Sequence, residues 1–190
     1  MLRQGGVDID DLKPPQVRIL SRILSVEKGE VLAAPMRPNS GKSLLFGIAA
    51  QYLLKKGPEN LKIIIVIPSF TLKIYHASRN CPGLSNLHAW TSSQPGVYYV
   101  RAKDLYDQFQ ILKDFSSHFT VYLFIDEAAF FFRQFYLGFR ADHTEVATDA
   151  ILDPAQIMKQ LRVVCLSGAF GSVAAQTQLK EQLSLEYFDN

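Results

Sequence analysis

Two segments of this 190-residue chain, 61–67 (LKIIIVI) and 120–125 (TVYLFI), are apolar at odd and even positions almost alike. A strand with one wet face alternates apolar with polar residues, so a run that does not alternate is covered on both faces. Sheets of that kind are built from parallel strands joined by helical crossovers, and this requirement narrows the fold more than any other feature. The rest of the chain supplies the crossovers. Residues 14–26 read as a helix, with proline near its start and Val17, Leu20, Ile23 and Leu24 at helical spacing. Residues 30–35 (EVLAAP) form a short buried strand, and a helix over 42–56 is closed by Gly57-Pro58.

Downstream the pattern repeats. The sequence predicts a helix over 71–79, a loop around a short element over 80–96, a strand at 97–100 and a helix over 102–115. After the strand at 120–125 come an unusually aromatic helix at 128–139, a polar stretch of undecided structure at 140–154, a strand at 161–166 (LRVVCL) and a final helix at 173–185. No internal repeat or low-complexity tract interrupts the series. A length of 190 residues fits one domain spanning 1–190, since a domain takes roughly 100–200 residues. The fold class expected is α/β, a central mainly parallel sheet flanked by helices.

Charge and apolar content exclude several classes. Twenty Lys plus Arg against eighteen Asp plus Glu give net +2, which rules out a strongly basic nucleic-acid tail and an acidic solvating protein but leaves local patches open. No apolar run approaches the roughly 20 residues of a membrane helix, so no membrane contact is expected. The first sixteen residues lack the apolar core of a secretory signal. Cys81 and Cys165 have no metal-ligand spacing and read as reduced thiols, and His76, His88, His118 and His143 are equally unclustered. The expected location is intracellular, cytoplasmic or nuclear, with a viral source left open.

The most informative stretch is Met36-Arg37-Pro38-Asn39-Ser40-Gly41-Lys42-Ser43, directly after a strand and before a helix. A loop that wraps phosphates needs permissive residues whose successive N–H groups turn inward, a lysine for the β- and γ-phosphates and a hydroxyl for Mg²⁺. Gly41, Lys42 and Ser43 supply the last three parts in order, and Arg37, Pro38, Asn39 and Ser40 form the body of the cradle. Met36 stands where such loops begin with glycine. Asn39 replaces a second glycine, and asparagine is the other residue that best tolerates a left-handed backbone. The second element is Asp126-Glu127-Ala128-Ala129 at the carboxyl end of the strand 120–125, where ligands of open α/β sheets bind. Asp126 suits an Mg²⁺ anchor acting through water, and Glu127 a base that orients and deprotonates an attacking water. An acidic pair also suits a helix N-terminus without any further role. Two such elements in the right order, each ending a strong strand, predict a P-loop NTPase fold.

At these residues the chain resembles the first RecA-like domain of a superfamily 2, DEAD-like helicase, across nearly its whole length. Leu12-Lys13-Pro14-Pro15-Gln16 resembles the segment whose glutamine reads the adenine edge, and 36–43 is similar to motif I. Pro68-Ser69-Phe70-Thr71-Leu72 is similar to motif Ia, which touches the nucleic-acid backbone. Asp126-Glu127-Ala128-Ala129 resembles a DEAD-type motif II with alanine in its fourth place. Ser167-Gly168-Ala169 resembles motif III, usually Ser-Ala-Thr. The resemblance implies ATP and Mg²⁺ as cofactors and RNA or DNA as partner. It assigns Gln16 to the adenine, Ser167 and Ala169 to coupling, and Pro68, Ser69 and Thr71, with Arg101, to nucleic acid.

It also implies a second RecA-like domain, in cis or in trans, that supplies motifs IV to VI and their arginines. These motifs have no counterpart in the 190 residues, and an arginine finger is worth several powers of ten in rate. The expectation is therefore a motor domain that hydrolyses ATP slowly or not at all alone and binds nucleic acid weakly. The rival from another class is a non-catalytic interaction module that keeps the fold and docks a protein. Phe130, Phe131, Phe132, Phe135, Tyr136 and Phe139 cannot all face one core from one helix, so segment 130–139 is either buried on several sides or a partner surface.

Overall fold

The parallel pairing that the two uninterrupted apolar runs require is present in the computed structural model. It describes residues 3–4, 7–8, 11–37, 39–68, 85–86, 90–106, 108–128, 131, 154–168 and 185–187. A two-residue antiparallel pair, β1 (Arg3–Gln4) and β2 (Val7–Asp8), precedes helix α1 (Pro14–Leu24). Then come β3 (Val31–Pro35), α2 (Lys42–Lys56), β4 (Leu61–Ile67), β5 (Ser85–Asn86) and β6 (Gly96–Arg101). The chain continues with α3 (Ala102–Tyr106), α4 (Ile111–His118), β7 (Thr120–Asp126), α5 (Pro154–Met158), β8 (Arg162–Ser167) and β9 (Leu185–Tyr187).

The larger sheet has the order β5-β6-β4-β7-β8-β3-β9, with every neighbouring pair parallel. Five long strands make its centre and two short ones its edges. Successive side chains of a strand point to opposite faces, and here each face meets its own core. Ile64, Val66, Leu123, Ile125, Val163 and Cys165 pack on one side with Leu105, Phe109, Leu112 and Ile157. Ile63, Ile65, Ile67, Phe124, Val164 and Leu166 pack on the other against Ile19, Leu20 and Ile23 of α1 and Leu45, Phe46 and Ile48 of α2. Phe46 stacks on Phe124 with ring centroids 4.9 Å apart, fixing α2 over β7. This two-sided burial is why alternation is missing from β4 and β7.

Several expectations need correction. The helix expected over 102–115 is two, α3 and α4. Between them Gln108, Ile111, Leu112 and Lys113 donate to carbonyls three residues back, a tighter turn that breaks the helical ladder. The apolar spacing 105, 109, 112, 115 is kept through the break, so periodicity alone cannot register it. Residue 185, expected to end a helix, starts β9 and pairs with Val31. Of the residues at helical spacing in α1, Val17 is 46% exposed, and Ile19 is buried beside Leu20 and Ile23. Helix α1 ends two residues early, at Leu24. The helix expected at 71–79, most of that at 128–139 and the stretch 140–153 lie outside the described residues. Phe131, at the edge of that aromatic segment, is buried in the first core.

The strand order has one consequence for the site. The chain leaves β3, crosses β8 and β7 to reach β4, goes out to the edge strand β5, comes back to β6 and then returns to β7 and β8. The connections on the two sides of this reversal part at the carboxyl edge of the sheet, the position where open α/β sheets hold ligands.

Candidate functional site

Register places the candidate residues in one row along that edge. Pro35 pairs with Ser167, Leu166 with Asp126, Ile125 with Val66, and Ile67 with Arg101. Met36, Ser167, Asp126, Pro68 and Arg101 therefore stand at the ends of five adjacent strands. β8 lies between the strand that feeds the loop at 36–41 and the strand that ends in Asp126. The Met36 amide donates to the Ser167 carbonyl at 2.7 Å, extending the β3–β8 ladder one residue past Pro35. Met36 itself is buried against the α1 and α2 core. A glycine is not required there, because its φ is not positive.

The loop bends where its residues allow it. Asn39 has φ 60° and Gly41 φ 90°, so the left-handed backbone falls on glycine and on the residue that tolerates it next best. A Cβ at Gly41 would lie 2.7 Å from Gln16 Nε2, so a side chain there would push the end of Gln16 aside. Gln16 ties the loop to α1: its Nε2 donates to the Ser40 carbonyl at 2.8 Å, and its Oε1 accepts from the Lys13 amide at 2.8 Å. The Ser40 hydroxyl donates to the Arg37 carbonyl at 2.6 Å. Gly41 is the N-cap of α2 and supplies no side-chain cap to its first turn.

Lys42 opens α2, is buried, and its Nζ lies 2.8 Å from Glu127 Oε1. The Ser43 hydroxyl donates to Asp126 Oδ2 at 3.4 Å. The loop and the acidic pair, 83 residues apart between Ser43 and Asp126, thus meet through two contacts. Asp126 is buried, and burial first, then the charge of Glu127, raises its carboxyl pKa above the ordinary value. Lys42, the Glu127 amide and the Ser43 hydroxyl oppose that rise. Glu127 has φ 52°, a left-handed backbone in a residue other than glycine. Its amide donates to Asp126 Oδ1 at 3.0 Å and its carbonyl accepts from the Phe131 amide at 3.3 Å, which hold the main chain from both sides.

Beside the loop a cavity of about 780 Å³ opens between α1 and the loop, lined by Lys13, Pro15, Gln16, Met36, Arg37, Asn39, Ser40, Gly41 and Gly168 among others. Lys42, Ser43, Asp126 and Glu127 are not among the residues that line it. Of the residues assigned to nucleic acid, Pro68 directly follows β4, and Arg101 ends β6 opposite Ile67. Arg101 is held by Asp104, Nε to Oδ2 at 2.7 Å and Nη2 to Oδ1 at 2.5 Å. Pro38, Ser69, Thr71 and Ala169 lie outside the described residues. The sequence reading passed over Gly168 as a cavity residue and Asp104 as the partner of Arg101, although the spacing i, i+3 signalled the latter.

No family model matches the sequence, and no curated protein matches it either. Solved structures do match the fold. The helicase domain of Pyrococcus furiosus Hef superposes with a TM-score of 0.60 at 18% identity, over 95% of this chain and 38% of that one. The UvsW helicase of bacteriophage T4 gives 0.59 at 17% identity, over 94% and 60%. The Sulfolobus solfataricus SWI2/SNF2 ATPase core, in complex with double-stranded DNA, gives 0.52 at 15%, over 93% and 44%. The chain spans from about two fifths to three fifths of the lengths of these structures. Its fold is the RecA-like fold that these helicase and ATPase domains share.

Proposed function

We propose that the chain is an ATP-binding, N-terminal-type motor domain of a superfamily 2-like helicase or translocase, one RecA-like unit of a larger machine. The observation that carries this reading is the meeting of Lys42 and Ser43 with Glu127 and Asp126 at the carboxyl edge of the sheet. Lys42 is positioned for the β- and γ-phosphates, with the first-turn amides of α2 beside it. The cavity next to Gln16 has the volume for a nucleobase and sugar.

A magnesium ion fits the donors present. The Ser43 hydroxyl and the Asp126 carboxylate bring oxygen ligands to one place, the chemistry a hard cation takes. Ser43 and Asp126 would hold it. When bound, such an ion neutralises phosphate charge. Gln16 holds the loop in shape and faces the base, Asp126 stays desolvated beneath Ser43, and Glu127 is the group able to accept a proton from water. Ser167 fastens the loop to β8 through its carbonyl, the part of motif III that reaches motif I here.

Hydrolysis is expected to need a second RecA-like domain, in cis or in trans, because the charge on a transferred phosphoryl group calls for further cations. The helicase neighbours, and the one bound to DNA, support nucleic acid as a partner, and the resemblance of 68–72 to motif Ia puts its contact near Pro68 and Arg101. Titration of wild type and Lys42→Ala with Mg²⁺–ATP tests the reading. Wild type is expected to bind at least about tenfold more tightly, a difference of about 1.4 kcal/mol. Equal affinities would leave the fold as an interaction module.

A further inference from the structure

We infer that residues 91–95 form a strap over Lys62, at the amino edge of the sheet, which opens as a unit and presents an otherwise buried lysine to acylating reagents. The inference stands apart from the nucleotide reading, since it concerns the edge opposite the candidate site.

Lys62 is the second residue of β4, opposite Gly96 of β6 and Val121 of β7, and is fully buried. Its ammonium sits in a box with three aromatic walls. Nζ lies 4.1 Å from the ring centroid of Tyr98 on β6, 4.3 Å from that of Phe115 on α4 and 5.3 Å from that of Phe119 just beyond it. The lid is the strap, whose Ser92 and Gln94 carbonyls accept from Nζ at 2.5 and 3.2 Å. Tyr98 is the titratable group among these neighbours, and no carboxylate pairs with the ammonium among the described residues.

Little else holds the strap. Among the described residues, its other outside anchor is the Tyr98 hydroxyl, which donates to the Gln94 carbonyl at 2.9 Å with the Pro95 carbonyl at 3.5 Å beside it. The Gln94 amide donates within the strap, to the Ser92 hydroxyl. Thr91, Ser93, Gln94 and Pro95 are exposed. Both ends are fixed: Trp90 is buried and packs edge-on against Phe115, and Gly96 begins the ladder with β4. Gly96 has φ 140°, a backbone that glycine takes without strain, which suits a hinge.

An ammonium among carbonyls and ring faces has exchanged its water for neutral partners, and opening gives the water back. Burial lowers the Lys62 pKa from 10.5 to about 8. The closed form therefore binds fewer protons between these values, and opening becomes easier as pH falls toward 8. In the open form the neutral amine attacks an acyl carbon. The N–C bond forms, the leaving group departs with its electron pair, and the amine proton passes to water. The amide that results has one N–H in place of three and no charge, so it cannot serve both carbonyls and the acylated strap stays open.

The test is brief treatment of the folded protein with the N-hydroxysuccinimide ester of acetic acid, read by peptide mass spectrometry, with exposed Lys56 as internal reference. From pH 7 to 9 the Lys56 rate should rise about a hundredfold and the Lys62 rate about tenfold, because the closed form already supplies neutral amine near pH 8. One molar urea, below the unfolding transition, should change the Lys62 rate less than about twofold, whereas reaction through global unfolding would rise about fivefold or more. Tyr98→Phe, which removes one anchor, should raise the Lys62 rate about fivefold and leave Lys56 unchanged. A Lys62 profile parallel to that of Lys56 overturns the strap. So does a rate that follows global unfolding in urea, an unchanged rate in Tyr98→Phe, or no reaction at Lys62 at all.

Discussion

Asn39 and Glu127 hold the positive φ values found outside glycine among the described residues, and both stand in the site. Such a backbone costs an ordinary residue about 1–2 kcal/mol, and strain of this kind gathers where geometry serves function. Asn39→Ala is expected to lower stability by about 1 kcal/mol in urea unfolding, and Asn39→Gly to stay within about 0.5 kcal/mol. A second residue went unnoticed in the sequence because it sits inside the most apolar strand. Lys62 is fully buried. Its Nζ donates to the Ser92 carbonyl at 2.5 Å and the Gln94 carbonyl at 3.2 Å, and it faces the rings of Tyr98 and Phe115 at 4.1 and 4.3 Å. Burial pushes its pKa from 10.5 down to about 8. The folded state then sheds the proton near pH 8 and the unfolded chain only near 10.5, so the folded state binds fewer protons between these values. Stability from this residue rises with pH across that window. The stability of wild type relative to Lys62→Met, followed by denaturant unfolding from pH 7 to 10, should move in favour of wild type as pH increases. A flat difference would show that the carbonyls and ring faces hold the ammonium as well as water does.

At the scale of elements, long apolar strands and capped helices were legible. The bounds of α2 and β4 agree with the sequence reading because Gly57 and the flanking prolines punctuate them, and β7 differs by one residue. What was not legible has two physical causes. β1, β2, β5 and β9 are two or three residues long, too short for any period to show. The break between α3 and α4 leaves its apolar spacing intact, so local pattern and true hydrogen bonding part company there. The site was legible as residue types in order. The Lys42–Glu127 contact was not, because it depends on which strand lies between β3 and β7. Helix α2 links core to site: its first residue is Lys42, and Phe46, one turn on, stacks on Phe124 of the acidic strand. Phe46→Ala is expected to cost about 3–5 kcal/mol in unfolding. In the protein that remains folded, nucleotide affinity should fall too, since α2 loses its anchor on β7. A variant with the stability loss but unchanged affinity would mean that Gln16 and Met36 suffice to hold the loop.

For the whole molecule the question is how much nucleic acid one such unit can hold. A net charge of +2 gives little long-range attraction for phosphates, the source of most non-specific affinity. The residue best placed at the carboxyl edge, Arg101, has its guanidinium forked onto Asp104, so its charge is already largely answered within the chain. Binding to a single strand is therefore expected no tighter than about 10⁻⁴–10⁻⁶ M at physiological salt. Arg101→Ala should change that affinity by less than about twofold, whereas Asp104→Ala should raise it. One added phosphate contact would steepen the dependence of log K on log salt by about 0.7 for a single strand. Fluorescence anisotropy of a labelled oligonucleotide at several salt concentrations measures all three quantities. Nanomolar, salt-resistant binding by the wild-type chain would contradict the weak binding expected here and point instead to a dedicated nucleic-acid reader. A large loss on Arg101→Ala would show that nucleic acid takes Arg101 from Asp104, and that their pairing is a resting arrangement rather than a neutralised one.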